Sequence, residues 1–138
     1  MTVVLDTNVF VSAAASVIGS ARMCFYLWAR RRFGLAITEE VLHEYQEAAE
    51  RLALKPGRYH GMNWQPLFYW VRDKAEHFET SPLGKRRSRD PKDDIFLSCA
   101  LAAGAKIIVS YDLDLLDMKK PFGIEILKPI AFVSRFNN

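Results

Sequence analysis

Cysteine is scarce: the chain has two, Cys24 and Cys99, each among apolar neighbours in a segment of helical character. A disulfide framework is thereby excluded as the source of stability, and the pair reads as buried free thiols of a reducing compartment. Histidine is also sparse. His43, His60 and His77 show no zinc-like spacing and read as surface or packing residues. No Ser-His-Asp or Cys-His arrangement suggests a protein nucleophile. No apolar run approaches the ~18 residues that a membrane span requires. The stretch Val9 to Ile18 is apolar enough to imitate a signal-peptide core, but no basic segment precedes it and Asp6 and Asn8 interrupt its approach. It is expected to be retained in a cytoplasmic protein. There is no internal repeat, low-complexity tract or linker.

What is present suits one compact unit. Of 138 residues, 50% are hydrophobic and 25% charged, which is enough apolar material for a single core and one domain spanning 1–138. A chain of this length needs no metal to fold, so any metal it binds is functional. The net charge of +3 is compatible with a polyanionic partner without establishing one.

Val3-Val4-Leu5 is a short apolar run without alternation, the pattern of a strand covered on both faces of a parallel sheet. A second such run, Ile107 to Ser110, follows a helix stopped by Gly104. Between them the punctuation is helical. Ser20 is expected to cap a helix from Ala21 to about Arg31, and Thr38 one from Glu39 to about Leu54, with a strand Leu35-Ala36-Ile37 between them. A helix over Pro66 to Asp73 and a strand over Ala75 to Thr80 follow, in a region crowded with Gly57, Gly61 and Pro66. Asp90-Pro91-Lys92-Asp93 opens the next helix, with Asp90 as N-cap and Asp93 as a capping-box acid, and that helix runs to Ala103. A strand Ile124 to Leu127 and a short helix opened by Pro129 complete an α/β chain.

Both buried strands end in acids, Asp6-Thr7-Asn8 and Tyr111-Asp112-Leu113-Asp114. In a parallel α/β sheet the ligand crevice lies outside the carboxyl ends of the strands. The bland alternative is that Asp6-Thr7-Asn8 only caps the following helix. On the helix after Thr38, Glu44 lies about 40° from an apolar stripe of Val41, Leu42, Tyr45, Ala48, Ala49 and Leu52, so it can face inward. Asp94 follows the positions whose amides need a cap and is succeeded by Ile95-Phe96-Leu97, so it can point into the same crevice. Carboxylates ~4 Å apart repel by ~4 kcal/mol per pair at an effective dielectric of ~20. A cluster of them calls for a cation, and oxygen ligands suit Mg²⁺ or Mn²⁺.

These motifs, Val3 to Val9, Thr38 to Tyr45, Arg89 to Leu97 and Ile108 to Leu116, occur in an order that resembles the PIN-domain family, and within it the VapC-like toxin components of toxin-antitoxin pairs. The resemblance spans nearly everything from Val3 to Phe132. It implies a single PIN-like domain, three-layer α/β/α with a central, mainly parallel sheet. It also implies a divalent-metal-dependent endoribonuclease: Asp6, Glu44, Asp94 and Asp112 as catalytic metal ligands, Asp114 in support, and Asn8 and Ser110 as polar groups near the metal. Tyr111 departs from the small or basic residue expected there, which would narrow the substrate channel. The implied partners are RNA, a small antitoxin and a second copy of the chain. A surplus of aromatic residues (Phe25, Tyr26, Trp28, Trp64, Phe68, Tyr69, Trp70), which one core need not wholly bury, points the same way.

Just before the acidic helix start, Lys85, Arg86, Arg87 and Arg89 form a basic run that could hold RNA phosphates or be a solvated loop. Two other readings stay open. A phosphatase of the haloacid dehalogenase type also places an aspartate after its first strand, but it wants a second two residues later, where Asn8 stands. A non-catalytic PIN-like module would bind RNA or protein through a degenerate pocket.

Overall fold

The computed structural model describes residues 1–80 and 91–136, without the side chains of residues 91–93. Asp90 and the basic run Lys85 to Arg89 lie outside the described residues, as does the Asp93 side chain. Five strands form one sheet: β1 (Thr2–Leu5), β2 (Gly34–Ile37), β3 (Glu76–His77), β4 (Ile107–Val109) and β5 (Glu125–Leu127). Their spatial order is β3-β2-β1-β4-β5, and every pair is parallel, so the mainly parallel sheet expected from the sequence is parallel throughout the described residues. Helices α1 (Thr7–Ala15), α2 (Ser20–Ala29), α3 (Glu39–Leu54), α4 (Gln65–Lys74), α5 (Pro91–Ala103), α6 (Leu113–Leu116) and α7 (Pro129–Ser134) complete a three-layer α/β/α fold. β1 sits at the centre with Val3, Val4 and Leu5 fully buried, which is why its side chains show no alternation.

The helices around β1 meet at one aromatic ring. Phe10 of α1 stacks face to face on Tyr45 of α3 at 4.6 Å. Its ring is also met edge-on by Phe25 of α2 at 6.4 Å and Phe68 of α4 at 6.3 Å. Buried rings in these geometries add ~0.5–1.5 kcal/mol per pair beyond the area they bury. The Tyr45 hydroxyl donates to the Leu5 carbonyl, tying α3 to the end of β1. Of the aromatic surplus, Phe25, Trp28, Trp64 and Phe68 are core residues, while Tyr26 and Tyr69 stay exposed. Cys24 and Cys99 are buried free thiols, each pushed up to about 12 by burial and therefore protonated.

Thr38 caps α3 as expected, its Oγ1 accepting from Val41 N at 3.2 Å. Two local expectations change. Ser20 is the first residue of α2, not its cap; Gly19 takes that position with φ +102°, where an L side chain would be strained, and α2 closes at Ala29. The strand expected over Ala75 to Thr80 shrinks to Glu76–His77, because Ala75 N still bonds Val71 O at the end of α4. This is a short edge strand with one neighbour. The signal-like run from Val9 belongs to α1, whose Val9, Phe10, Val11 and Ala13 are core. Among the described residues no single helix is long and apolar enough to cross a membrane.

If the Phe10 ring joins the four helices, Phe10→Ala should cost about 3–5 kcal/mol. Tyr45→Phe, which keeps the stack and removes only the hydroxyl bond to Leu5, should cost about 1–2 kcal/mol. Urea denaturation of both variants measures the difference; equal losses would show that the stack is not what holds α1 to α3.

Candidate functional site

The chain runs outward from β1 to β2 and β3, then crosses to β4 and β5, so the winding reverses between β1 and β4. Loops leave the carboxyl ends of these two strands in opposite directions, and a crevice opens between them. Asp6 and Ser110 are the first residues past those ends.

Asp6 does two jobs at once. Its backbone N donates to Val109 O at 2.9 Å, and its Oδ1 accepts from Thr7 N at 2.7 Å as the N-cap of α1. Capping and a place in the crevice are thus not alternatives. The other oxygen, Oδ2, accepts from the Ser110 hydroxyl at 2.5 Å. Ser110 Oγ in turn accepts from Asp112 N at 2.8 Å, and Asp112 Oδ1 accepts from Asp114 N at 2.8 Å, capping α6. Asn8 Oδ1 accepts from Tyr111 N at 3.2 Å, a second bond between the two strand ends. Asn8 and Ser110, expected to be supporting polar groups, are the clips that set the loops.

A cavity of about 270 Å³ lies over this network, lined by Asp6, Thr7, Asn8, Glu44 and Asp112, together with Arg51 and Tyr59. Val11, Ala48, Leu52 and Phe96 supply the apolar surface between them. Three of the four principal acids therefore share one cavity. Asp94, half-buried in the first turn of α5, is not among the residues lining it, although its helix contributes Phe96. Asp114 is half-buried on α6 behind Asp112. Tyr111 is 42% exposed, directed away from the core. His43, His60 and His77 are exposed, as expected.

Burial pushes the Asp6 carboxyl up from 3.8 to about 6; the bonds from Ser110 and Thr7 oppose this, and the charges of Asp112 and Glu44 add to it. Among the described residues no group of three His, Cys, Asp or Glu is drawn close enough to hold a metal ion as it stands. The donor chemistry fits a hard divalent ion nonetheless: three carboxylates, oxygen ligands only, and a buried Thr7 hydroxyl with no hydrogen-bond partner beside them.

Arg51 and Tyr59 were not singled out by the sequence reading. A signal existed for Arg51: it follows Glu44 by seven residues, two helical turns, and so lies on the same face of α3. Tyr59 falls among Pro56, Gly57 and Gly61, where no periodicity reports direction.

Asp6 holds its proton more tightly folded than unfolded, so its contribution to stability is present below pH 3.8 and is lost as pH rises through about 6. With metal chelated, the protein should lose on the order of 2–3 kcal/mol from this group between pH 4 and pH 7. Thermal melts of Asp6→Asn against the parent over that range should differ by this component, the variant being the flatter. Parallel pH profiles would show that the buried carboxyl is not strained.

The fold has counterparts among known proteins. A family model described as PIN domain matches residues 2–114. The crystal structure of VapBC2 from Rickettsia felis, bound to a DNA fragment from its promoter, is similar with a TM-score of 0.61 at 18% identity, over 93% of this chain and 98% of that one. PAE2754 from Pyrobaculum aerophilum is similar with a TM-score of 0.59 at 16% identity, over 98% of this chain and 88% of that one. No curated protein is detectably similar in sequence. A family match over most of the chain means that this chain belongs to the PIN domain family.

Proposed function

We propose that the protein is a divalent-metal-dependent endoribonuclease that hydrolyses phosphodiester bonds in RNA, and that it acts as the toxin of a toxin-antitoxin pair. The observation that carries this reading is the gathering of Asp6, Glu44 and Asp112 around one cavity at the reversal point of a parallel sheet. Asp6, Glu44, Asp94 and Asp112, with Asp114 in support, would hold Mg²⁺ or Mn²⁺. Bound there, the ion supplies an acid that activates water for in-line attack on the phosphodiester and steadies the leaving oxygen.

The chain's own groups do the positioning. Ser110 holds one oxygen of Asp6 and the Asp112 amide together, so the acids of two strands keep a common register. Asn8 fixes the backbone at Tyr111, which sets the direction in which Asp112 leaves β4. The apolar surface of Val11, Leu52 and Phe96 limits water around the carboxylates and strengthens their pull on a cation.

The VapBC2 likeness supports a small antitoxin as partner. A groove lined by Ala14, Val17, Met62, Leu67 and Trp70, with Val17 69% exposed, offers apolar surface for the antitoxin or a second copy. The setting is a cytoplasmic, single-domain protein. A second reading, a PIN-like module that binds RNA or protein without cleaving, is favoured by the carboxylates not being drawn together.

Cleavage of an RNA panel with and without Mg²⁺ or Mn²⁺ separates the two. Asp6→Asn and Asp94→Asn should each lower kcat by about 10²-fold or more with the fold intact by thermal melt. Wild-type rates in both variants would sink the site assignment, and metal-independent binding without cleavage would establish the second reading. The basic run is assigned to RNA phosphates. Replacing Arg86 and Arg87 with Ala, in a background of Asp6→Asn, should flatten the slope of log affinity against log salt by roughly 0.7 per lost contact. An unchanged slope would mark the run as solvated loop.

A further inference from the structure

Among the described residues that line that cavity, Arg51 is the one cation. Arg51 stands in the last turn of α3, two turns or about 10 Å beyond Glu44 on the same helix face. Its place near a helix C-terminus and its pairing with Glu47 account for its charge but not for its position on the cavity wall. That pairing is weak. The Nε to Oε1 separation is 3.6 Å, and both side chains are 43% exposed, so turning the guanidinium toward another anion costs little.

Among the described residues, the surface on either side of Glu44 differs in sign. Toward the start of α3 it continues over His43, Glu39 and Glu40 and on to Glu79. Toward the end of α3 it continues over Arg51 and Tyr59, and the Arg58 guanidinium lies 5.2 Å over the Tyr59 ring. A polyanionic strand whose phosphate sits among the acids is repelled along the first path and attracted along the second.

We infer that Arg51 is a substrate-binding residue that holds an RNA phosphate flanking the scissile one, so that the strand leaves the cavity past Arg51 and Tyr59 instead of over Glu39 and Glu40. That a bond is cut there rests on the ribonuclease proposed above; the path of the strand rests on the cavity geometry. The guanidinium forms a charge-assisted bond to a non-bridging phosphate oxygen, and its planar fork suits two such oxygens. Tyr59 walls the path beside it with an aromatic surface of the kind single strands lie against.

The test combines Arg51→Ala, Arg51→Lys and a scan in which single phosphates of a cleavable RNA are replaced by neutral methylphosphonates. Arg51→Ala should raise KM about tenfold with kcat within about threefold, and Arg51→Lys should recover part of the loss. One methylphosphonate near the cleavage site should impose the same loss on the wild type and none on Arg51→Ala. Losses that add at every position would overturn the assignment, as would an unchanged KM. If Arg51 only offset the repulsion of the acids, its removal would tighten Mn²⁺ binding and leave KM alone, which also overturns it. Affinity of a fluorescent single-stranded RNA oligonucleotide, measured in a background of Asp6→Asn, keeps the two proposals apart. An Arg51 effect on binding with no cleavage by the wild type overturns the ribonuclease and keeps the track; cleavage with no Arg51 effect does the reverse.

Discussion

Asp6 joins the first strand, the fourth strand and the first helix through three hydrogen bonds, all made within one side chain and one amide. The arrangement asks for contradictory things. An ionised oxygen is the best acceptor for a helix N-cap and for the Ser110 hydroxyl, yet the burial that makes those bonds precise disfavours the ionised form. Burial wins, since the carboxyl rises to about 6 in spite of both donors. Asp112 and Glu44 then add negative charge to a place that already resists it. A bound cation, as proposed above, would relieve that imbalance, and this is the physical argument for reading the acids as a site and not as an accident of capping.

The rest of the fold keeps the imbalance from being relieved by movement. Asp6 cannot swing out while its amide is held by Val109 and α1 starts on its side chain. Glu44 cannot rotate away with α3, because its neighbour Tyr45 is stacked on Phe10 and bonded to the Leu5 carbonyl just before Asp6. The ring that packs four helices and the hydroxyl that ties one of them to β1 therefore also set the distance between two acids of the cavity. Packing energy and site geometry are borne by the same residues, so a core substitution near Phe10 reaches the chemistry without touching it.

How much of this can be read from the chain follows from which residues have one job. The two buried strands are legible because Val3 to Leu5 and Ile107 to Val109 are apolar on both faces, and Thr38 is legible because it only caps. Asp6, Asp112 and Glu44 could be picked out by position at strand ends and by the helical wheel, and they do meet in one cavity. The start of α2 was misplaced by one residue since Gly19 offers no side-chain signal where Ser20 does. The strand after α4 was overextended because Ala75 to Thr80 carries no turn residue, while the helix bond from Ala75 N is a matter of geometry and not composition. Asp94 shows the converse difficulty: its motif is clear, but its side chain is not on the cavity wall.

Arg51 was hidden for a more general reason. A single sequence ranks an arginine in a helix's last turn as an ordinary dipole partner, and the i,i+4 glutamate beside it completes that explanation. Only the folded surface reveals that the same helix face begins at an acid of the site and ends at a cation, with anionic residues continuing in the other direction. Sign asymmetry of this kind constrains a polyanion more than net charge does. A net charge of +3 would attract the proposed RNA only weakly from afar, whereas a gradient across one cavity would give the strand an orientation once it had arrived. The proposed metal site would gain from such an asymmetry, because carboxylates alone cannot tell one end of a phosphodiester chain from the other.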